Sequence, residues 1–261
     1  MISRVLALAL NTFREAVRDR VLYLLLVVGL AAVAFSRILG GLSVGDPLHV
    51  VADTGLTAVS LLGVMISIFV GTGLIYKEID KRTVYTILSK PVRRGEFILG
   101  KYLGLVLTAL VCMAVLSAGF LAYFPLQGGK VNWPLAAALV ASMVEVGVII
   151  SVAVMFSSAS TPILSAVFTS IVFAAGRLSY WIPDFMESLT RMKTGGGGLQ
   201  AVLQVLYYIT PNLRIFDLRD HAVNAVAMPV AGDLALRALY GACYAAVMLI
   251  CATLVFRRRR F

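Results

Sequence analysis

Residues 102–124 read YLGLVLTALVCMAVLSAGFLAYF, with no Asp, Glu, Lys or Arg. At about 1.5 Å per residue a helix of that length crosses a hydrocarbon layer of roughly 30 Å. A chain in that layer must satisfy every backbone N–H and C=O within itself, so the stretch reads as a membrane helix. Working outward from it, comparable apolar blocks run from Val21 to about Leu39 and over Leu56–Tyr76, Pro134–Phe156, Ile163–Ile182 and Ala238–Phe256. The chain therefore reads as one all-α integral membrane domain, residues 1–261, with six transmembrane helices. Composition agrees: 60% of residues are hydrophobic, 14% are charged and mean hydropathy is +0.93, too apolar for a water-soluble fold with a polar shell.

The net charge of +10 would suit a nucleic-acid partner, but its distribution argues otherwise. Four Arg lie in residues 1–20, seven Lys or Arg in 77–101 and four more in Arg257–Arg260, together 15 of the 23 basic residues. With six spans, all three clusters fall on one side. That is the positive-inside pattern, which orients the chain with both termini in the cytosol and draws anionic lipid headgroups rather than nucleic acid. Tyr123, Phe124, Trp133, Tyr180 and Trp181 mark the outer interface, and Tyr76 and Tyr102 the inner one. A labelling experiment tests this topology. Lys130→Cys and Gly196→Cys, in a cysteine-free background, are expected to react with an impermeant reagent applied to intact cells, whereas Lys81→Cys and Arg259→Cys stay silent. Labelling at Lys81→Cys would reverse the orientation.

Before the first span, Leu6, Leu10, Phe13, Val17 and Val21 recur at three- and four-residue steps, opposite Arg4, Asn11, Glu15 and Arg18. Residues 1–20 thus read as an amphipathic helix lying in the interface. Glu15 and Asp19 and this periodicity favour an uncleaved first span over a signal peptide. Residues 40–55 and 125–133 read as short outer loops, and Ser157–Pro162 as a short inner turn. The last outer segment, 183–237, is the longest. Its Gly195–Gly198 run reads as a linker, and Leu199, Val202, Leu203, Leu206 and Ile209 form one apolar face too short to span, a re-entrant or interfacial helix.

Chemistry is sparse. Cys112, Cys243 and Cys251 all fall in apolar stretches and read as packing residues rather than disulfide or metal ligands. The scattered Met186, Met192, His221 and Met228 make no metal site. Gly95 to Lys101 imitates a phosphate-binding loop, but Tyr102 stands where a Ser or Thr would hold magnesium, and the segment runs into a membrane helix instead of following a strand. Gly100 and Gly104 are spaced for close helix contact instead. No catalytic residue emerges, and this chain is expected to bind no cofactor. Glu145, near the middle of the fourth span, reads as the one deep ionisable side chain, with no Lys or Arg expected at its depth. It serves translocation, a subunit interface, or packing beside Ala138, Ala141 and Ser142.

The informative segment is 77–101, KEIDKRTVYTILSKPVRRGEFILGK. Residues 77–90 form a candidate amphipathic helix with Ile79, Val84, Ile87 and Leu88 apolar, ended by Pro91. Its wording resembles the first cytosolic loop of ABC-2 type permeases: an acidic residue closing the second span (Glu78), a Thr (Thr83), an Ile87-Leu88 turn, a Pro followed by Arg (Pro91, with Arg93 or Arg94), and Gly100-Lys101. Arg82 stands where many members have Gly. The Lys-Arg-Thr and Lys-Pro-Val wording is similar to the branch linked to multicopper-enzyme and nitrous oxide reductase maturation. The elbow helix, Pro211-Asn-Leu, Phe216-Asp217 and the basic end extend the likeness over most of the chain.

That resemblance implies an ABC-2 (type V exporter-like) permease fold in which the loop is a coupling helix. It would offer Glu78, Asp80, Lys81, Arg82, Thr83, Leu88, Pro91, Arg93 and Arg94 to a separate ABC ATPase subunit that holds ATP and Mg. It further implies a dimer of permease subunits in the cytoplasmic membrane, usually moving substrate outward, with room for an accessory or periplasmic protein on the outer segment. Two other classes compete. A secondary transporter or channel would show several polar midplane residues and broken helices, and a non-transporting scaffold of a maturation complex would leave a partner's hydrolysis independent of this chain.

Overall fold

The computed structural model describes residues 2–43, 45–80, 94–179, 210–224 and 231–258. Among them the regular structure is helical: α1 (Ile2–Val17), α2 (Arg20–Leu42), α3 (Pro47–Asp80), α4 (Arg94–Leu126), α5 (Trp133–Ala159), α6 (Pro162–Leu178), a 3-10 turn (Leu213–Phe216), α7 (Arg219–Val223) and α8 (Ala231–Arg258). Five of these are long and apolar enough to cross a membrane, namely α2, α3, α4, α5 and α8, and α6 is a shorter apolar helix of 17 residues. The chain is a multi-pass membrane protein.

Local signals explain the breaks. Asp19 caps α2, its side chain accepting from the Val21 amide at 3.1 Å, and this separates α2 from the elbow helix. Pro134 and Pro162 sit at the first turns of α5 and α6, where a missing N–H goes unnoticed. After α4 the chain reverses through Gly128, whose φ of 89° suits glycine. The helices outrun the predicted spans. Much of the expected loop 40–55 is already helix, because Pro47 starts α3 and the Asp46 side chain accepts from the Leu48 amide.

The bundle is built around α5, which packs against α3, α4, α6 and α8; α2 leans on α3, and α1 on α4. Hydroxyls in the spans are mostly turned back on their own helix, as with Ser67 to Gly63, Thr108 to Gly104 and Thr169 to Ser165, so they do not face hydrocarbon unpaired. Tyr102, expected at an interface, instead reaches inward and donates to the Gly147 carbonyl at 3.3 Å. Cys112 is buried while Cys243 and Cys251 are exposed, and all three are free thiols.

The elbow helix packs by a different face from the one its leucines suggest. Ala9, Thr12 and Ala16 are buried against the bundle, whereas Leu6 and Leu10 are exposed. Small residues permit close helix approach, and the leucines are left for the lipid surface.

Candidate functional site

At the end of the bundle that carries the α3–α4 loop, Glu78 and Asp80 lie in the last turn of α3 and Arg94 opens α4. Lys81, Arg82, Thr83, Leu88, Pro91 and Arg93 lie outside the described residues. Of the expected coupling segment, residues 77–101, the structure thus describes only its two ends, in the last turn of α3 and the first turns of α4. Its exit is anchored: a Cβ on Gly100 would lie 2.6 Å from the Leu8 Cβ, and one on Gly104 would lie 2.5 Å from the Ala9 carbonyl oxygen. Beside them Lys101 is buried (1% exposed), its Nζ 3.7 Å from Glu15 of α1. The close contact expected of these glycines is therefore with the elbow helix.

Toward the opposite end, Glu145 is not alone. It is 1% exposed on α5, and its Oε2 accepts from Arg177 Nη2 at 2.9 Å. The same Nη2 donates to Ser60 Oγ of α3 at 2.9 Å, while Nη1 donates to Asp217 Oδ2 at 2.6 Å. Asp217 in turn accepts from Arg219 through Nε (2.7 Å) and Nη2 (2.5 Å), and Arg219 Nη1 reaches Thr57 Oγ1 of α3 at 2.5 Å. The Phe173 ring, one turn earlier on α6, lies 5.7 Å from the Arg177 guanidinium carbon. Two carboxylates and two guanidiniums thus join α3, α5, α6 and the chain after the 3-10 turn. Removing charges from water is costly, and a neutral, hydrogen-bonded quartet is the form in which the cost is largely offset. Within the quartet, Glu145 Oε1 and Arg177 Nε are buried with no hydrogen-bond partner among the described residues.

The segment that delivers Asp217 re-enters the bundle. Leu213, Phe216 and Leu218 are each at most 2% exposed. The segment passes so close to α6 that a Cβ on Gly176 would sit 2.6 Å from the Pro211 carbonyl oxygen. From α8, Tyr240 accepts the Asn212 amide at 3.0 Å and Arg237 donates to the Ile215 carbonyl at 2.5 Å. Burial alone would raise the Asp217 carboxyl. The hydrogen bond and charge of Arg219, with the charge of Arg177, outweigh burial and hold it below the usual carboxylate range.

This architecture has a match among known families: the model of the ABC-2 family transporter protein covers residues 6–260. The chain belongs to the ABC-2 transporter family. No curated protein matches it. As a family member it is a membrane permease component of an ABC transporter.

In the permease the expectation that no basic residue reaches the depth of Glu145 is overturned by Arg177. The signal lay in the sequence. Glu145 and Arg177 are equally distant from Thr161, the N-cap residue of α6 after the turn from α5, so an antiparallel pair sets them level. Ala138 and Ala141 are buried on the same helix, and Ser142 bonds back to the Ala138 carbonyl. Arg219 and the role of Asp217 had no local signal. Above the quartet is a polar recess of about 440 Å³ lined by Asp53, Arg214 and Asp220 together with Arg177, Asp217 and Arg219. Among the described residues no group of three or more His, Cys, Asp or Glu is placed to hold a metal ion. The arrangement ties α3, α5, α6 and the 217–219 segment together.

Proposed function

We propose that this permease couples ATP hydrolysis, performed by a separate ATPase subunit, to outward movement of a substrate, with its termini and the α3–α4 loop in the cytosol of a cell bounded by its cytoplasmic membrane. The observation that supports the reading is the family match over residues 6–260, together with the basic sequence that links the end of α3 to the start of α4. A partner that moved this loop would pull on α4 and, through Gly104 and Lys101, on the elbow helix, a rigid-body transmission between packed elements. At the far end the Glu145–Arg177–Asp217–Arg219 quartet would act as an outer latch, closed in this conformation and opened as α5 and α6 part.

The test uses the complex with its ATPase in lipid nanodiscs. Glu78→Lys and Arg82→Glu are expected to weaken ATPase docking or to uncouple hydrolysis by about tenfold while the permease still inserts and dimerises. Added salt should weaken docking of the unmodified complex too, since exposed ion pairs are screened. Normal coupling in both reversals would reduce the segment to a solvated loop. Hydrolysis indifferent to the permease would favour the scaffold reading, and uptake driven by an ion gradient without ATP would favour a secondary transporter.

A further inference from the structure

Between α5 and α8, at the Trp133 end of the bundle, lies a groove of about 160 Å³ floored by Phe216 and walled by Ala137, Ala141 and Ala238. Arg237 lines it too. This arginine sits inside the apolar stretch Gly232–Phe256, where a guanidinium is costly unless it reaches a partner or the interface. Its Nη1 is committed to the Ile215 carbonyl, and its Nε and Nη2 have no partner among the described residues. Trp133, 71% exposed at the first position of α5, is placed as an interfacial anchor beside the same groove. An apolar slot with a partly unpaired cation at its rim and an indole at its mouth matches one kind of molecule: a phospholipid, its chain in the slot and its phosphate on the guanidinium.

We propose that the groove binds one phospholipid of the leaflet at the Trp133 end, an acyl chain between α5 and α8 and the phosphate on Arg237. The lipid then fastens α8 to α5. Through the Arg237 bond to Ile215 it also braces the re-entrant segment that presents Asp217 to the latch. Binding itself does not depend on the proposed transport function; only the bracing of the latch does.

The experiment uses the purified full chain with Trp181→Phe, which leaves Trp133 as the reporter, titrated in detergent with a phosphatidylglycerol brominated on its acyl chain. Saturable quenching is expected. Arg237→Gln should raise the half-saturating concentration about tenfold or more, the scale of a lost charge-assisted hydrogen bond, and Arg237→Lys should restore part of it. Ala238→Phe, which fills the slot, should abolish saturation. In a Cys243→Ala/Cys251→Ala background, thermal exposure of the buried Cys112 confirms that each variant is folded. Three results would overturn the proposal: non-saturating quenching equal in all variants, which is an ordinary lipid annulus; equal quenching by a brominated detergent with a neutral headgroup; and disulfide-linked dimers from Ala238→Cys in a cysteine-free background, which would put a second copy of the chain on this face.

Discussion

Arg177→Met alone is expected to destabilise the permease by about 3–5 kcal/mol, the usual cost of stranding one member of a buried ion pair. Glu145 would be left 1% exposed with only the Ser60 hydroxyl at 3.5 Å. Glu145→Leu should be comparably damaging, because Arg177 and Arg219 would then share the single carboxylate of Asp217. The double variant Glu145→Leu/Arg177→Met removes one charge of each sign and leaves Asp217 paired with Arg219, so most of the loss should return. Cys112 is a built-in reporter, being buried while the other two cysteines are exposed. In a Cys243→Ala/Cys251→Ala background, the temperature at which a thiol-reactive dye reaches Cys112 ranks the four proteins. Additive losses in the double variant would show that the two residues are not coupled. The folded double variant also separates structure from transport: a latch needed for the cycle predicts that its ATPase coupling stays low although stability recovers. Wild-type coupling would leave the pair a packing device.

Acidity bears on the same network with a definite sign. The Asp217 carboxyl is lowered in the folded protein, so its contribution to stability is complete above the unfolded value of about 4 and is lost only as pH falls through the lower folded value. The Asp217 share of the latch therefore stays closed across neutral pH.

Gly104→Leu is the second large effect. A Cβ there would meet the Ala9 carbonyl oxygen at 2.5 Å and the Thr12 Cβ at 2.6 Å, and neither can be trimmed away by a substitution at position 12 that keeps a side chain. The elbow helix must move off α4, at about 1–3 kcal/mol for overpacking together with the strain on the Lys101–Glu15 pair. Gly41→Ala is the control: nothing lies within 4 Å of the added methyl, and the helix gains from losing a glycine. The expected result is an early Cys112 transition and weakened ATPase coupling for Gly104→Leu, with Gly41→Ala unchanged or slightly more stable. Equal behaviour of the two would remove the elbow helix from the coupling path.

The membrane helices could be read from the sequence because the bilayer imposes a local demand, although five of the six expected spans are long enough to cross and α6 is a shorter apolar helix of 17 residues. Each apolar block must cross by itself, as 102–124 does, and each break has its own proline, glycine or capping aspartate. The depth match of Glu145 and Arg177 was also within reach, since one short turn sets α5 and α6 level. The rest of the site depended on how distant segments fold together. Arg219 and Asp217 become partners of Glu145 and Arg177 only because residues 211–218 turn back into the bundle, a path held by Gly176, Tyr240 and Arg237. Likewise periodicity pointed to the Leu6 and Leu10 face of the elbow helix, and the groove offered by Gly100 and Gly104 took the face with Ala9 and Thr12 instead. Periodicity reports which residues avoid water. It does not report which neighbour a buried charge or a small face will meet, because that choice is made by packing between segments far apart in the chain.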